Sequence, residues 1–178
     1  MRNFILALVF VLLLGASLPA KAQVVLSLGQ GLSWEHTSNA RNFETNQPRQ
    51  FRLGYGWTNL DLYLEYSTFQ KREGTTILQI TRTHQEALAW SRYRFRPDWL
   101  VTPYAAAAVG ANFDSVRTDF YSQSVRNQGQ PELTGALASG VSLTFHHFEA
   151  ELEPRLTLAA SYSPNPLLSL ALFAGYRF

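Results

Sequence analysis

Three residue types in one short stretch are those that break an ester. A serine hydroxyl attacks an acyl carbon when a histidine takes its proton and an acid orients that histidine, and His36, Ser38 and Glu44 supply all three. The same residues also make an ordinary polar rim at the end of a strand, and that is the expectation adopted: no catalytic residue is assigned. A second set would do electrostatic work instead. Arg52, Glu65, Arg92, Glu149, Glu151, Glu153 and Arg155 fall on one parity of alternating segments, joined by Asp61, Glu86, Arg94, Glu132 and Arg177. Nearly cancelling charges gathered inside a narrow space read as a structural salt-bridge network. A narrow ion path is the alternative. No metal site or cofactor is expected: His146-His147 is an adjacent pair in a tight turn, with His84 at the opposite end of the strands.

The elements that carry these residues are strands. Apolar residues recur with period two and no segment keeps a helical period. The carboxyl-terminal run is the clearest case: Leu168, Leu170, Leu172, Ala174, Tyr176 and Phe178 hold one face, while Ser169, Ala171, Phe173, Gly175 and Arg177 hold the other. Phe148 to Leu158 sets Phe148, Ala150, Leu152, Pro154, Leu156 and Leu158 against Glu149, Glu151, Glu153, Arg155 and Thr157. A water-soluble sandwich puts apolar faces inward and charge outward. Three acids in a row opposite a clean apolar face fit the reverse, a sheet with oil outside and charge inside.

Eight such strands can be counted. They begin near Val24, Phe51, Leu60, Leu78, Val101, Leu133, Phe148 and Leu168. In the fourth, Ala87, Ala89, Ser91, Tyr93 and Phe95 are placed outward, because the other parity would put Glu86, Arg92 and Arg94 in lipid; an Arg at the bilayer midplane costs about 2–4 kcal/mol. The connections alternate. Thr37–Pro48, Gln70–Thr75, Asp114–Pro131 and Ser161–Pro166 read as polar loops, and Thr58-Asn59, Arg96-Pro97-Asp98 and His146-His147 as tight turns. The fold expected is therefore all-β, an eight-stranded antiparallel up-and-down transmembrane β-barrel. Aromatic residues cluster near the turn ends, among them Trp57, Tyr93, Phe95, Trp99 and Phe145, with Trp34, Tyr66 and Phe113 at the far ends, as interfacial girdles would.

Composition agrees with this reading. Residues 1–22 have the form of a removable signal peptide, with Arg2, an apolar run from Ile5 to Leu14 and Ala20-Lys21-Ala22 as the cleavage site, which leaves 23–178 as one barrel domain. The 15 basic residues, less Arg2 and Lys21, then equal the 13 acidic ones. Neutral balance without a basic block gives no reason to expect nucleic acid as a partner. Cysteine is absent, so neither disulfides nor cysteine-held metal contribute.

Pro103-Tyr104 opening an Ala/Gly-rich strand, Arg92-Tyr93-Arg94-Phe95 before a turn, and the ending Gly175-Tyr176-Arg177-Phe178 resemble the small outer-membrane barrels of the OmpA-like, OmpW-like and opacity-protein group. The resemblance implies an outer-membrane location with periplasmic termini and extracellular long loops. It implies contact with outer-membrane lipids and lipopolysaccharide, and a monomer. Tyr176 and Phe178 match the terminal signal read by the barrel-assembly machinery. The role implied is structural, surface interaction or limited small-solute transport, with loops 37–48 and 114–131 open to an extracellular ligand. His36-Thr37-Ser38-Asn39-Ala40 also looks like the His-x-Ser-Asn signature of outer-membrane lipid A deacylases of the PagL type, which would make the chain a lipid A ester hydrolase. It departs from that pattern in lying on the first strand, away from the carboxyl terminus.

Overall fold

The computed structural model describes residues 22–36, 43–75, 77–121, 123–159 and 167–178. Its elements are β1 (Gln23–His36), β2 (Phe43–Asn46), β3 (Arg49–Gly56), β4 (Leu60–Gly74), β5 (Leu78–Arg94), β6 (Val101–Phe120), β7 (Gln123–Gln128), β8 (Glu132–Phe145), β9 (Phe148–Ala159) and β10 (Leu167–Arg177). The signal-peptide reading of 1–22 falls almost wholly outside the described residues. So do Ser38 and the segment 160–166.

Eight of these strands close a barrel in the order β1-β3-β4-β5-β6-β8-β9-β10, and β10 returns antiparallel to β1 from Val25↔Arg177 to Trp34↔Leu168. Closure leaves no open edge in the apolar layer, where an unpaired backbone group would have no water to bond. Alternation inside each strand is as expected and its polarity is inverted. The buried side chains are mostly polar or charged, including Arg52, Asp61, Glu65, Arg92, Glu153 and Arg155, while Leu28, Leu62, Val109, Leu133, Leu137 and Leu172 stand exposed. β5 takes the expected facing: Ala87, Ala89, Ser91 and Tyr93 are exposed, and Leu88 and Trp90 are buried.

The short connections lie at one end. Trp57–Asn59, Phe95–Leu100 and His146-His147 join β3 to β4, β5 to β6 and β8 to β9. His146 adopts φ 55°, the left-handed conformation that a two-residue hairpin turn demands. Exposed Tyr93, Phe95, Trp99, Phe145, Phe148 and Phe178 ring this end. Tyr176 lies edge-on to Phe148 and Phe178, with centroids at 5.1 and 4.8 Å.

The other end departs from the sequence reading. Gln70–Thr75 is a strand almost to its end, because β4 runs to Gly74 and pairs with β5 as far as Gly74↔Gln79. The stretch Asp114–Pro131 is no loop either: β6 continues to Phe120 and turns at Tyr121 (φ 49°) into β7, paired from Phe120↔Gln123 to Ser115↔Gln128. Within 37–48, Phe43–Asn46 is a strand on the end of β1, in the register His36↔Phe43 and Glu35↔Glu44. Each of these segments is polar on at least one face and lacks the oil-facing contrast that marks a membrane strand, so composition concealed the ladder.

The result is a four-stranded flap, β4-β5-β6-β7. β3 last pairs β4 at Arg49↔Thr68 and β8 last pairs β6 at Asn112↔Glu132. From there the flap continues for some seven residues per strand, about 23 Å at 3.3 Å each.

Candidate functional site

Two places concentrate functional side chains: the lower lumen of the barrel and the flap. Strand pleating puts every second residue of each wall strand into the lumen, and the closed circle brings strands far apart in sequence within one side chain of each other. Arg52 on β3 donates from Nε to Glu65 Oε2 at 2.7 Å, and from its two Nη atoms to Glu151 Oε2 and Glu153 Oε1 at 2.6 Å each. Arg155 on β9 holds both oxygens of Glu65 at 2.6 Å and donates from Nε to Glu153 Oε1 at 2.5 Å. The Tyr104 hydroxyl from β6 donates to the other Glu153 oxygen at 2.8 Å.

A second group lies nearer the short turns. Asp61 on β4 accepts from Arg92 Nε at 2.7 Å, from Arg94 Nη2 at 2.9 Å, and from both Nη atoms of Arg177 at 3.2 and 3.1 Å. Arg177 also donates from Nε to Glu149 at 2.8 Å. Glu151 joins the two groups, since its Oε1 lies 2.5 Å from Arg92 Nη1 while Oε2 takes Arg52. Five guanidinium groups thus meet five carboxylates, with zero net charge.

Aromatic rings pack the guanidinium planes. The Arg52 carbon lies 3.4 Å from the Phe173 ring centre and 4.7 Å from that of Tyr63, Arg155 lies 4.9 Å from Trp90, and Arg92 lies 4.9 Å from Tyr104. Tyr63 and Trp90 also join Leu88, Ala106, Ala136 and Ala138 in a buried cluster. Small residues are required between the rings: a Cβ on Gly29 would strike the Phe173 ring, and one on Gly54 would strike the Tyr63 backbone.

The structure therefore brings together Arg52, Glu65, Arg92, Glu149, Glu151, Glu153 and Arg155, along with Asp61, Arg94 and Arg177. Glu86 is buried higher in the barrel, and Glu132 is half-buried at the rim. The network ties β3, β4 and β5 to β9 and β10 across the lumen. Its chemistry is mutual neutralisation, since every carboxylate in it is engaged by at least two arginines.

Two of the ester-cleaving trio, His36 and Glu44, fall on β1 and β2. His36 ends β1 in register with Phe43, and Glu44 belongs to β2, where it is in register with Glu35. Glu44 is thus a strand residue and not the loop residue expected, while Ser38 lies outside the described residues. Elsewhere, His84 Nδ1 lies 2.6 Å from Asp114 Oδ1 and its ring stands 5.0 Å from Phe69, at the base of the flap and at the opposite end of the molecule from His146-His147.

On the flap the outward face turns from apolar to polar, carrying Gln79, Thr81, Thr83, Ser115, Arg117 and Arg126, while the face that continues the lumen is mixed, with Leu78, Ile80, Val116, Phe120 and Val125 beside Lys71, Arg82 and Asp114. On that outward face the Asp119 carboxyl is held below its ordinary pKa, first by a hydrogen bond from Ser124 and then by one from Arg117. The sequence reading missed the flap. The signal it offered was the period-two alternation of Val116, Thr118 and Phe120 with Ser115, Arg117 and Asp119.

No family model matches the chain, and no curated protein matches it in sequence. Solved structures do. Neisserial surface protein A (NspA) is 17% identical with a TM-score of 0.58, covering 89% of this chain and 96% of its own. Ail, the attachment invasion locus protein of Yersinia pestis, is 16% identical at 0.57, covering 88% and 97%; it has also been solved in complex with the heparin analogue sucrose octasulfate. The N-terminal β-barrel domain of Pseudomonas aeruginosa OprF is 14% identical at 0.54, covering 89% and 98%. This chain has the fold of the small eight-stranded outer-membrane barrels.

Proposed function

We propose that this chain spans the outer membrane as a non-conducting, non-catalytic barrel that stands in the bilayer and presents its flap outside. The observation that carries this reading is the lumen network, five arginines against five carboxylates bridging β3–β5 to β9–β10. Opening a path through it would strand buried charges, at a cost of several kcal/mol for each ion left unpaired. The lumen therefore serves as a rigid strut. Function then falls to the surface: the lipid-facing band and the flap.

Several further assignments belong to the same reading. Residues 1–22 are a leader removed on export and 23–178 the working barrel. Tyr176 and Phe178 form the signal for the barrel-assembly machinery. Both termini and the short turns are periplasmic, and the protein is a monomer among outer-membrane lipids and lipopolysaccharide. A surface-contact role draws support from Ail, which shares the fold and has been solved with a sulfated sugar analogue. The contacting element in this chain is the flap and not a loose 114–131 loop.

Planar-bilayer recording on the folded protein tests the proposal. A silent bilayer is expected from a sample whose heat-modifiable gel shift shows an intact barrel. Discrete conductance steps, altered by Glu151→Gln or Arg155→Gln, would overturn it. Mass spectrometry of lipid A from cells with and without the protein should give identical species; loss of an acyl chain that Ser38→Ala abolishes would make the protein a deacylase.

A further inference from the structure

One row across the flap places like charges where a sheet ordinarily avoids them. Arg72 on β4 is opposite Thr81, Thr81 is opposite Arg117 and Arg117 is opposite Arg126, so three arginines share one row on the outward face. All three are exposed. Directly opposed like charges destabilise a strand pair, and Arg117↔Arg126 is such a pair on the outward face, as Lys71↔Arg82 is on the lumen-side face. Arg49, exposed where β3 last meets β4, adds a fourth outward arginine at the rim. Asp119, hydrogen bonded to Arg117 at 2.9 Å, is the one carboxylate on the outward face of the described flap. The short-turn end shows no such excess, since exposed Arg96 there is accompanied by exposed Asp98.

The height of the row identifies what it meets. Phe113 is the last outward apolar residue of β6, and Arg117 lies four residues beyond it, about 13 Å along the strand. With the strand tilt usual for such barrels this is a rise of roughly 10 Å. That is the level of the polar headgroup layer above a hydrocarbon core. Arginine stems are long and flexible enough to lower their guanidinium groups toward phosphates beneath them, and guanidinium pairs with phosphate oxygens in two-point geometry. The row faces away from the barrel axis, toward neighbouring lipid.

We propose that the outward face of the flap docks through Arg72, Arg117 and Arg126 onto phosphorylated lipid headgroups of the leaflet from which it rises. The inference rests on the reading of the barrel as membrane-spanning among such lipids and adds the element and the residues that engage their phosphates. Headgroup phosphates offset the repulsion within the row, and the docked flap is held against the membrane at its β6–β7 edge.

Hydrogen exchange of the full protein in nanodiscs tests this. One set of discs contains zwitterionic phosphatidylcholine, and the other adds a bis-phosphorylated glycolipid. Amides of residues 115–128 should exchange about tenfold more slowly in the phosphorylated discs, an effect lost at high salt and in the Arg72→Gln/Arg117→Gln/Arg126→Gln variant. The single Arg126→Gln variant should lose part of it, and serves if the triple variant does not fold. Equal exchange in the two discs, or protection retained in the variants, would overturn the inference. So would protection produced only by soluble sucrose octasulfate added to zwitterionic discs, because the ligand would then be a free polyanion. A heat-modifiable gel shift on each sample keeps the two readings apart: its absence refutes the barrel, whereas its presence with lipid-insensitive exchange refutes only the docking.

Discussion

The lower and upper halves of β4, β5 and β6 are the same strands in unbroken register with different outward faces, apolar below and polar above. Below the rim the outward face is Ala87, Ala89, Val109 and Ala111, and the lumen face is Glu86, Arg92 and Tyr104. Above it the outward face is Thr83, Thr81, Ser115 and Arg117, and the lumen-side face mixes Ile80, Val116 and Phe120 with Arg82 and Asp114. Backbone pairing does not change across the boundary. The solvent does. Hydrocarbon selects apolar side chains outside and leaves the lumen to polar groups that neutralise one another, whereas above the membrane the outward face meets headgroups and water.

Substitutions that respect the ladder but cross this boundary should separate the two halves. The largest effect belongs to the network. Arg155→Ala leaves Glu65 and Glu153 with Arg52 as their one remaining arginine, and Glu65→Ala takes a carboxylate from both Arg52 and Arg155; either leaves one buried charge uncompensated and should lower unfolding free energy by about 3–5 kcal/mol in denaturant titrations in micelles. Next is charge on the lipid face. Leu137→Arg, near the middle of the exposed apolar band, should cost about 2–4 kcal/mol. Thr83→Arg, on the same outward surface but above the rim, should stay within about 0.5 kcal/mol. Equal penalties at these two sites would remove the boundary.

Packing in the barrel wall gives a smaller contrast. Gly54→Ala drives a methyl into the Leu62 carbonyl and the Tyr63 backbone, which should cost about 1–3 kcal/mol. At Gly135 the nearest atom to an added Cβ is the Ala108 carbonyl oxygen at 3.9 Å, so Gly135→Ala should fall within about 0.5 kcal/mol. The smallest effect is expected in the flap, where Phe120→Ser should leave the unfolding of the barrel unchanged within about 0.5 kcal/mol, checked in the same titrations.

How far the sequence could be read follows from the same boundary. Where lipid forces contrast between faces, as in Phe148–Leu158, alternation alone determined strand, facing and inward charge. Where it does not, as in Arg72, Arg117 and Asp119, a strand and a polar loop have similar compositions, and β7 and the upper parts of β4 and β6 were not recognised. The inward residues were legible as a set but not as pairs. Parity shows that Arg52 and Glu153 both point inward, yet only closure of the barrel brings together residues 101 positions apart. Of the trio His36, Ser38 and Glu44, Glu44 lies on a strand in register with Glu35, where its polar neighbourhood in the sequence reads as a loop.

The boundary itself can be measured directly because the chain has no cysteine. Val109 and Ser115 share the outward parity of β6 on either side of Phe113. Val109→Cys and Ser115→Cys, each carrying the same fluorophore, would be reconstituted in bilayers with lipids brominated in their acyl chains. Strong quenching at 109 and little at 115 is the predicted result; equal quenching at both positions, or stronger quenching at 115, would contradict the account.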